Sequence, residues 1–381
     1  MQKAELVAKH GDFVNAFRDG YRLPGYPLFL SAFYHISDSP LLAARYAQIV
    51  LSALTILFSY LAMVNIFHSR RKSILGASAI ALWIPFYYFS PILYAESCSI
   101  FLFALFFFTL SNLTHENATN VIYTLPVLLA LLVYLKPNQI LIFAPLLVFL
   151  LFKVGGQNVK HIGGITLIFI ILLIPWSIFV SVMNGKVIPL STTAGANLYL
   201  GTGVNADKED VTRSGSLTLR TAVKLGLRDQ DIVRQTQQDV QDMSTAEKDN
   251  YFTTVAKEIW ISRPIRTVLY ALSKVLHGFG FSFRGFRDLL LVMFFLSSII
   301  FSIYLWVSNS YREWCAFFWA VLFVVSLQMF VFLSHQRFKT VIFDLPAMMM
   351  IIMGMLRLFD NFFKAPIRIF HQKSWRDRHN L

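Results

Sequence analysis

The sequence predicts an all-α integral membrane protein: a polytopic helical bundle of about nine spans with external juxtamembrane helices and a small external segment. Three observations carry that reading. Of 381 residues, 56% are hydrophobic and only 14% are charged, against about 25% charged in soluble domains. Apolar runs long enough to approach a bilayer recur along the chain. Lys and Arg gather in short connections and at the C-terminus, so the net charge of +13 fits a positive-inside membrane protein against anionic lipid rather than a nucleic-acid binder.

In order, residues 1–40 precede the first span. Met1–Arg22 is polar and lacks the apolar core of a secretory signal. Tyr26–Ile36 is apolar but too short to span. Pro24 and Pro27 open it and Ser37–Pro40 close it, so it reads as a juxtamembrane helix. An N-terminal transmembrane bundle, 41–183, follows, with candidate spans 41–67, 75–92, 97–113, 121–135, 138–152 and 162–183. Pro91, Pro126, Pro137 and Pro145 bound or interrupt them, which bundles tolerate when neighbours re-satisfy the backbone. A C-terminal bundle, 286–358, holds 286–307, 314–334 and 340–358, and 359–381 is a basic tail. Cys98 and Cys315 lie in apolar runs and read as small apolar residues rather than a disulfide.

Arg70–Lys72, Lys153 with Lys160, and the tail from Arg357 to Arg378 mark the cytoplasmic side. The turns 93–96 and 136–137 and the segment 184–285 then face outward, provided that 264–282 does not cross. Ile265, Val268, Leu269, Leu272 and Leu276 share one helical face there. Arg266, Thr267, Ser273, Lys274 and His277 share the other, as expected of an interfacial helix. Earlier in the same segment, Ser244 and Glu247 form a capping-box pattern before an apolar stripe of Tyr251, Phe252, Val255 and Ile259.

Ionisable residues beside apolar spans are candidates for function, and four fall at the outer level: Arg22, Glu96, Lys136 and Arg337, the last beside His335. Arg22 and Lys136 taken singly read as snorkelling cations, and Glu96 as a helix N-terminal carboxylate. Together, three cations and a carboxylate suit a phosphate-bearing lipid headgroup and a polar acceptor. Metal-ligand spacing, G-x-S-x-G and phosphate-loop patterns are absent. Two glycosylation sequons, at Asn112 and Asn117, fall on the inner side and read as chance.

With these positions set out, the chain resembles the GT-C class of polyprenyl-phosphate-sugar-dependent glycosyltransferases, the family 39 and aminoarabinose-transferase-like proteins that include protein mannosyltransferases. The likeness rests on Arg22-Leu23-Pro24-Gly25-Tyr26-Pro27-Leu28-Phe29-Leu30, Ala43–Gln48, Glu96, and Leu135-Lys136-Pro137-Asn138. It extends to Pro189–Thr192, Gly195–Gly201, and His335–Phe338 with Pro346. The resemblance implies inverting transfer of a sugar from a polyprenyl-phosphate donor to an external lipid, glycan or protein acceptor. In that scheme Arg22, Lys136 and Arg337 bind donor phosphate, and Tyr21, His335, Asn197 and Tyr199 bind substrate. The family's catalytic aspartate lies in its first external loop, after a preceding span. This chain opens inside that loop, which leaves two expectations: a truncated start that lacks the first span and the base, the favoured one, or Asp12 or Asp19 as a substitute base; Asp19 and Glu96 are the catalytic candidates. No cofactor is implied, and a divalent metal is left open. Membrane lipids are expected partners, nucleic acid is not, and the simplest setting is a bacterial inner membrane with a periplasm-facing site. The competing readings are a lipid-linked-sugar transporter, which would place its charges nearer the midplane, and an inactive scaffold.

Overall fold

The structure, a computed structural model, describes residues 1–113, 119–154, 159–205, 217–281, 286–332 and 336–376, and every element among them is helical. Gln2–His10 (α1), Phe13–Phe17 (α2) and Gly25–Ile36 (α3) lead into Pro40–Phe67 (α4), Arg70–Ala81 (α5), Ile84–Tyr88 (α6) and Glu96–Asn112 (α7). Thr119–Ile122 (α8) and Thr124–Leu135 (α9) follow, then a 3-10 turn at Pro137–Ile142, Phe143–Val154 (α10) and Val159–Asn184 (α11). The polar segment holds Ala194–Gly201 (α12), Leu217–Lys224 (α13), Gln230–Asp239 (α14), Thr245–Ser262 (α15) and Pro264–Gly278 (α16). Phe286–Val307 (α17), Arg312–Val331 (α18), Gln336–Ile342 (α19) and Asp344–Arg376 (α20) complete the chain.

Four helices, Pro40–Phe67, Lys160–Asn184, Phe286–Val307 and Arg312–Val331, are long and apolar enough to cross a bilayer, and shorter apolar helices accompany them. Their exposed faces are apolar: Leu167, Ile171 and Ile178 on α11 and Met293, Ile300 and Val307 on α17 are all more than two-fifths exposed. A water-soluble bundle would turn such faces inward, and lipid reverses that demand. Inside, aromatic rings fill the core. Phe107 and Phe149 each lie 4.8 Å from Trp314. Small residues let backbones approach: a Cβ on Gly354 would sit 2.3 Å from the Phe301 ring, and one on Gly76 2.2 Å from the Met63 sulfur.

The structure corrects two spans. Residues 75–92 are not one helix, because the chain breaks at Leu82-Trp83, where Trp83 turns extended ahead of Pro85. The run 340–358 is likewise divided between α19 and α20, and α20 continues without a break to Arg376. The short runs 121–135 and 138–152 also begin irregularly, the second as the 3-10 turn after Lys136-Pro137. A helix over Gly25–Ile36, the capping box at Ser244 and Glu247, and the buried cysteines without a disulfide all appear as expected.

Contacts between helix ends sort the connections into two groups. At one end, Lys72 pairs with Asp360, Asn361 bonds the Tyr304 hydroxyl at 2.9 Å, and the Phe67 and Tyr311 rings meet. At the other lie Tyr94–Glu96, Tyr134–Lys136, Arg18–Tyr26 and Pro189–Thr192, joined by the bonds described next.

Candidate active site

The site begins with a turn. Proline at 137 restricts its predecessor to extended backbone, so Lys136 (φ −151°, ψ 125°) ends α9. Its ammonium donates to Glu96 Oε1 at 2.8 Å. The side chains are 14% and 3% exposed, respectively. Glu96 is the first residue of α7, where the helix dipole favours a carboxylate. Gln48, fully buried on α4, donates to the Tyr94 carbonyl at 2.8 Å and so holds the turn that presents Glu96.

Arg22-Leu23-Pro24-Gly25-Tyr26 packs directly onto that arrangement. A Cβ on Gly25 would lie 2.7 Å from the carbonyl carbon and oxygen of Tyr134, so only glycine lets α3 start against the end of α9. The Tyr26 hydroxyl is buried, and its phenol is pushed up by that burial, with Cys98 and Glu96 adding to the effect. Exposed Arg22 stands at the rim with its guanidinium 5.8 Å from the ring centre of Tyr21.

Several polar atoms around the pair make no hydrogen bond among the described residues: Tyr26 Oη, Gln48 Oε1, Ser97 Oγ, Asn138 Nδ2 and both amide atoms of Gln139. Buried polar atoms are nearly always bonded, and each exception asks for an explanation. Together they leave donors and acceptors unspent in the residues next to Glu96 and Lys136 and in the helices that hold them.

Asp19 is engaged elsewhere. Its Oδ1 accepts from Lys3 Nζ at 2.7 Å and from the Tyr21 N–H at 3.1 Å. Thr192 bonds the carbonyls of Asp19 and Gly20, both at 3.0 Å, and Asn184 bonds that of Arg18 at 2.9 Å. The Pro189–Thr192 stretch thereby clamps the loop that leads to Arg22. Asn197 and Tyr199 sit in the packing of the polar segment. Asn197 Nδ2 bonds the Thr193 carbonyl at 2.8 Å, and the Tyr199 ring lies 5.2 Å from Phe252. Tyr199, Thr236, Gln237 and Phe252 help line a cavity of about 250 Å³ there. Arg337 lies on α19 with its side chain outside the described part, and His335 lies outside the described residues.

With this geometry in place, one comparison with known families finds a similarity over part of the chain. Residues 22–179 match the family of dolichyl-phosphate-mannose-protein mannosyltransferases. The resemblance to the GT-C glycosyltransferases therefore stands, and the matched stretch contains Arg22, Gln48, Glu96 and Lys136 together. No curated protein and no solved structure matches the chain.

Sequence reasoning passed over four residues. Gln48 and Tyr26 lay inside motifs but were given no role. Lys339 and Asp344 form a buried ion pair at 2.8 Å. The available signal was a charge on each side of the start of an apolar run, which marks a candidate by default.

Proposed function

We propose that this integral membrane protein transfers a sugar from a polyprenyl-phosphate donor to an acceptor on the non-cytoplasmic side, with inversion. The observation that carries the proposal is the desolvated Lys136–Glu96 pair at 2.8 Å, overlain by the Arg22–Tyr26 stretch inside the segment that matches the mannosyltransferase family. Lys136, with Arg22 and Arg337, stabilises the phosphate as it leaves, and preorganised charge of this kind commonly supplies the largest part of a rate enhancement. Glu96 holds Lys136 in place and accepts hydrogen bonds from sugar or acceptor hydroxyls, together with Gln48, Tyr26 and Ser97. Asp19, fixed by Lys3, orders the loop that carries Tyr21 and Arg22 and serves as the candidate base. His335, Asn197 and Tyr199 complete the acceptor side.

The two groups of contacts fit a sidedness with 1–40 and 184–285 outside and the Lys72–Asp360 end in the cytoplasm. Outside, α16 lies in the interface, since its apolar face is outward: Ile265 is 75% exposed and Leu276 52%. A bacterial inner membrane with a periplasmic site fits this sidedness.

The test is transfer of labelled sugar from polyprenyl-phosphate sugars, dolichyl-phosphate-mannose first, by the full chain in liposomes. Turnover is expected, with losses of about 10²–10³-fold for Lys136→Met and Arg337→Ala. Undiminished turnover in both variants would sink the assignment.

A further inference from the structure

Arg337 lies between two buried lysines, and neither was assigned a role by the sequence pattern. On the N-terminal side stands Lys274, which the helical pattern put on the polar face of α16 but which is fully buried. Its ammonium donates to the Gly201 carbonyl at 2.7 Å and to the Phe332 carbonyl at 2.8 Å. These are the carbonyls at the ends of α12 and α18. Helix C-termini leave carbonyls unsatisfied and carry partial negative charge, so one cation serves both. Burial pushes that ammonium down to about 7. The two helix ends are also in close backbone contact, because a Cβ on Gly201 would lie 2.6 Å from the Val331 carbonyl oxygen.

On the C-terminal side, Lys339 and Asp344 pair at 2.8 Å with side chains 3% and 0% exposed. Asp344 Oδ2 accepts the Trp83 indole N–H at 3.1 Å. The Trp83 ring stacks on Phe294 at 4.3 Å, and Lys339 Nζ lies 6.0 Å from Phe294 and 5.7 Å from Phe343. The pair thus ties together the α5–α6 break, α17, and the junction of α19 with α20. A buried ion pair contributes little net stability against an apolar replacement, and its best-attested use is to select one arrangement.

We propose that Lys274 and Lys339 are positioning residues that anchor the end of α18 and the junction of α19 with α20, so that α19, the helix that carries Arg337, is held in a single arrangement for the donor phosphate. The purpose rests on the reading of Arg337 given above; the fixing does not. Lys274 acts through the carbonyl of Phe332, and Lys339 acts through Asp344 and Trp83.

Hydrogen exchange of the full chain in nanodiscs tests the fixing. Lys274→Met and Lys339→Met are each expected to speed exchange of the 336–344 amides about tenfold and to leave α10 unchanged. Unchanged rates in 336–344, or an equal rise in α10, would overturn the proposal. Because a single variant strands a buried charge, the double variant Lys339→Met/Asp344→Leu is included, which removes both charges. It is expected to keep wild-type exchange in α10 while 336–344 still exchanges faster, and wild-type rates in both regions would overturn the role of the pair. Binding of geranylgeranyl phosphate then tests the purpose. Wild-type protein is expected to bind and Lys274→Met to bind about tenfold more weakly. Equal binding would overturn the purpose, whereas no binding by wild type would count against the donor site itself and leave the exchange result to judge the lysines.

Discussion

Both ends of the bundle carry a lysine–carboxylate pair, and the two pairs do different work. Lys72 and Asp360 are 32% and 34% exposed and sit among the basic residues of one end. Lys136 and Glu96 are 14% and 3% exposed at the other, beside Gln48, Ser97 and Gln139 atoms that lack hydrogen bonds among the described residues. An exposed pair gains little, because water and salt screen it. A buried pair has lost its hydration and is held for its geometry. Charge type alone does not distinguish the two pairs; desolvation together with unspent hydrogen-bonding capacity does.

The contrast can be broken most sharply at Glu96. Glu96→Ala removes the carboxylate from the buried Lys136 ammonium and is expected to cost about 3–5 kcal/mol, read as a lowered denaturation midpoint. Glu96→Gln/Lys136→Met should recover most of that loss and none of the transfer activity. Next in size is Gly25→Ala, which forces a methyl against the Tyr134 carbonyl and is expected to cost about 1–3 kcal/mol. Gly163→Ala serves as its control, because nothing lies within 4 Å of that Cβ. At the other end, Lys72→Ala should change stability by under about 1 kcal/mol and leave transfer intact.

The smallest effect is a pH dependence in the polar segment. Arg263 hydrogen-bonds Asp229 at 2.6 Å and holds its carboxyl below the ordinary 3.8. A depressed carboxylate stabilises the fold fully above its ordinary value, and the contribution is lost as pH falls through the lower, folded value. Acid titration of Asp229→Asn against wild type should therefore separate the two above that value and merge them at lower pH.

The fold was legible where apolar runs were long and uninterrupted. Helix α17 occupies 286–307 as the sequence indicated, and α4 begins within one residue of its expected start. It was illegible at Trp83 and Phe343, where runs that look continuous in hydropathy are broken by backbone geometry. Pro85 ends one helix and starts another, and the Lys339–Asp344 pair spans the second junction. Hydropathy averages over such breaks. At the site, single charges could be read, since Glu96 and Lys136 each interrupt apolar sequence. Their pairing could not, because the partners are 40 residues apart. Lys274 shows a different limit. Helical periodicity gave its face correctly, but the apolar residues Ile265, Leu272 and Leu276 of α16 are exposed while Thr267 and Lys274 pack on the protein.

The central claim is that the Glu96–Lys136 end receives a polyprenyl-phosphate headgroup. Photo-crosslinking with a prenyl monophosphate that carries a diazirine beside the phosphate, followed by peptide mapping, tests it most directly. Label concentrated in residues 21–27, 93–99 and 134–139 is the predicted result. Label at 67–72 and 357–361, or spread along the lipid-facing side of α11, would contradict it.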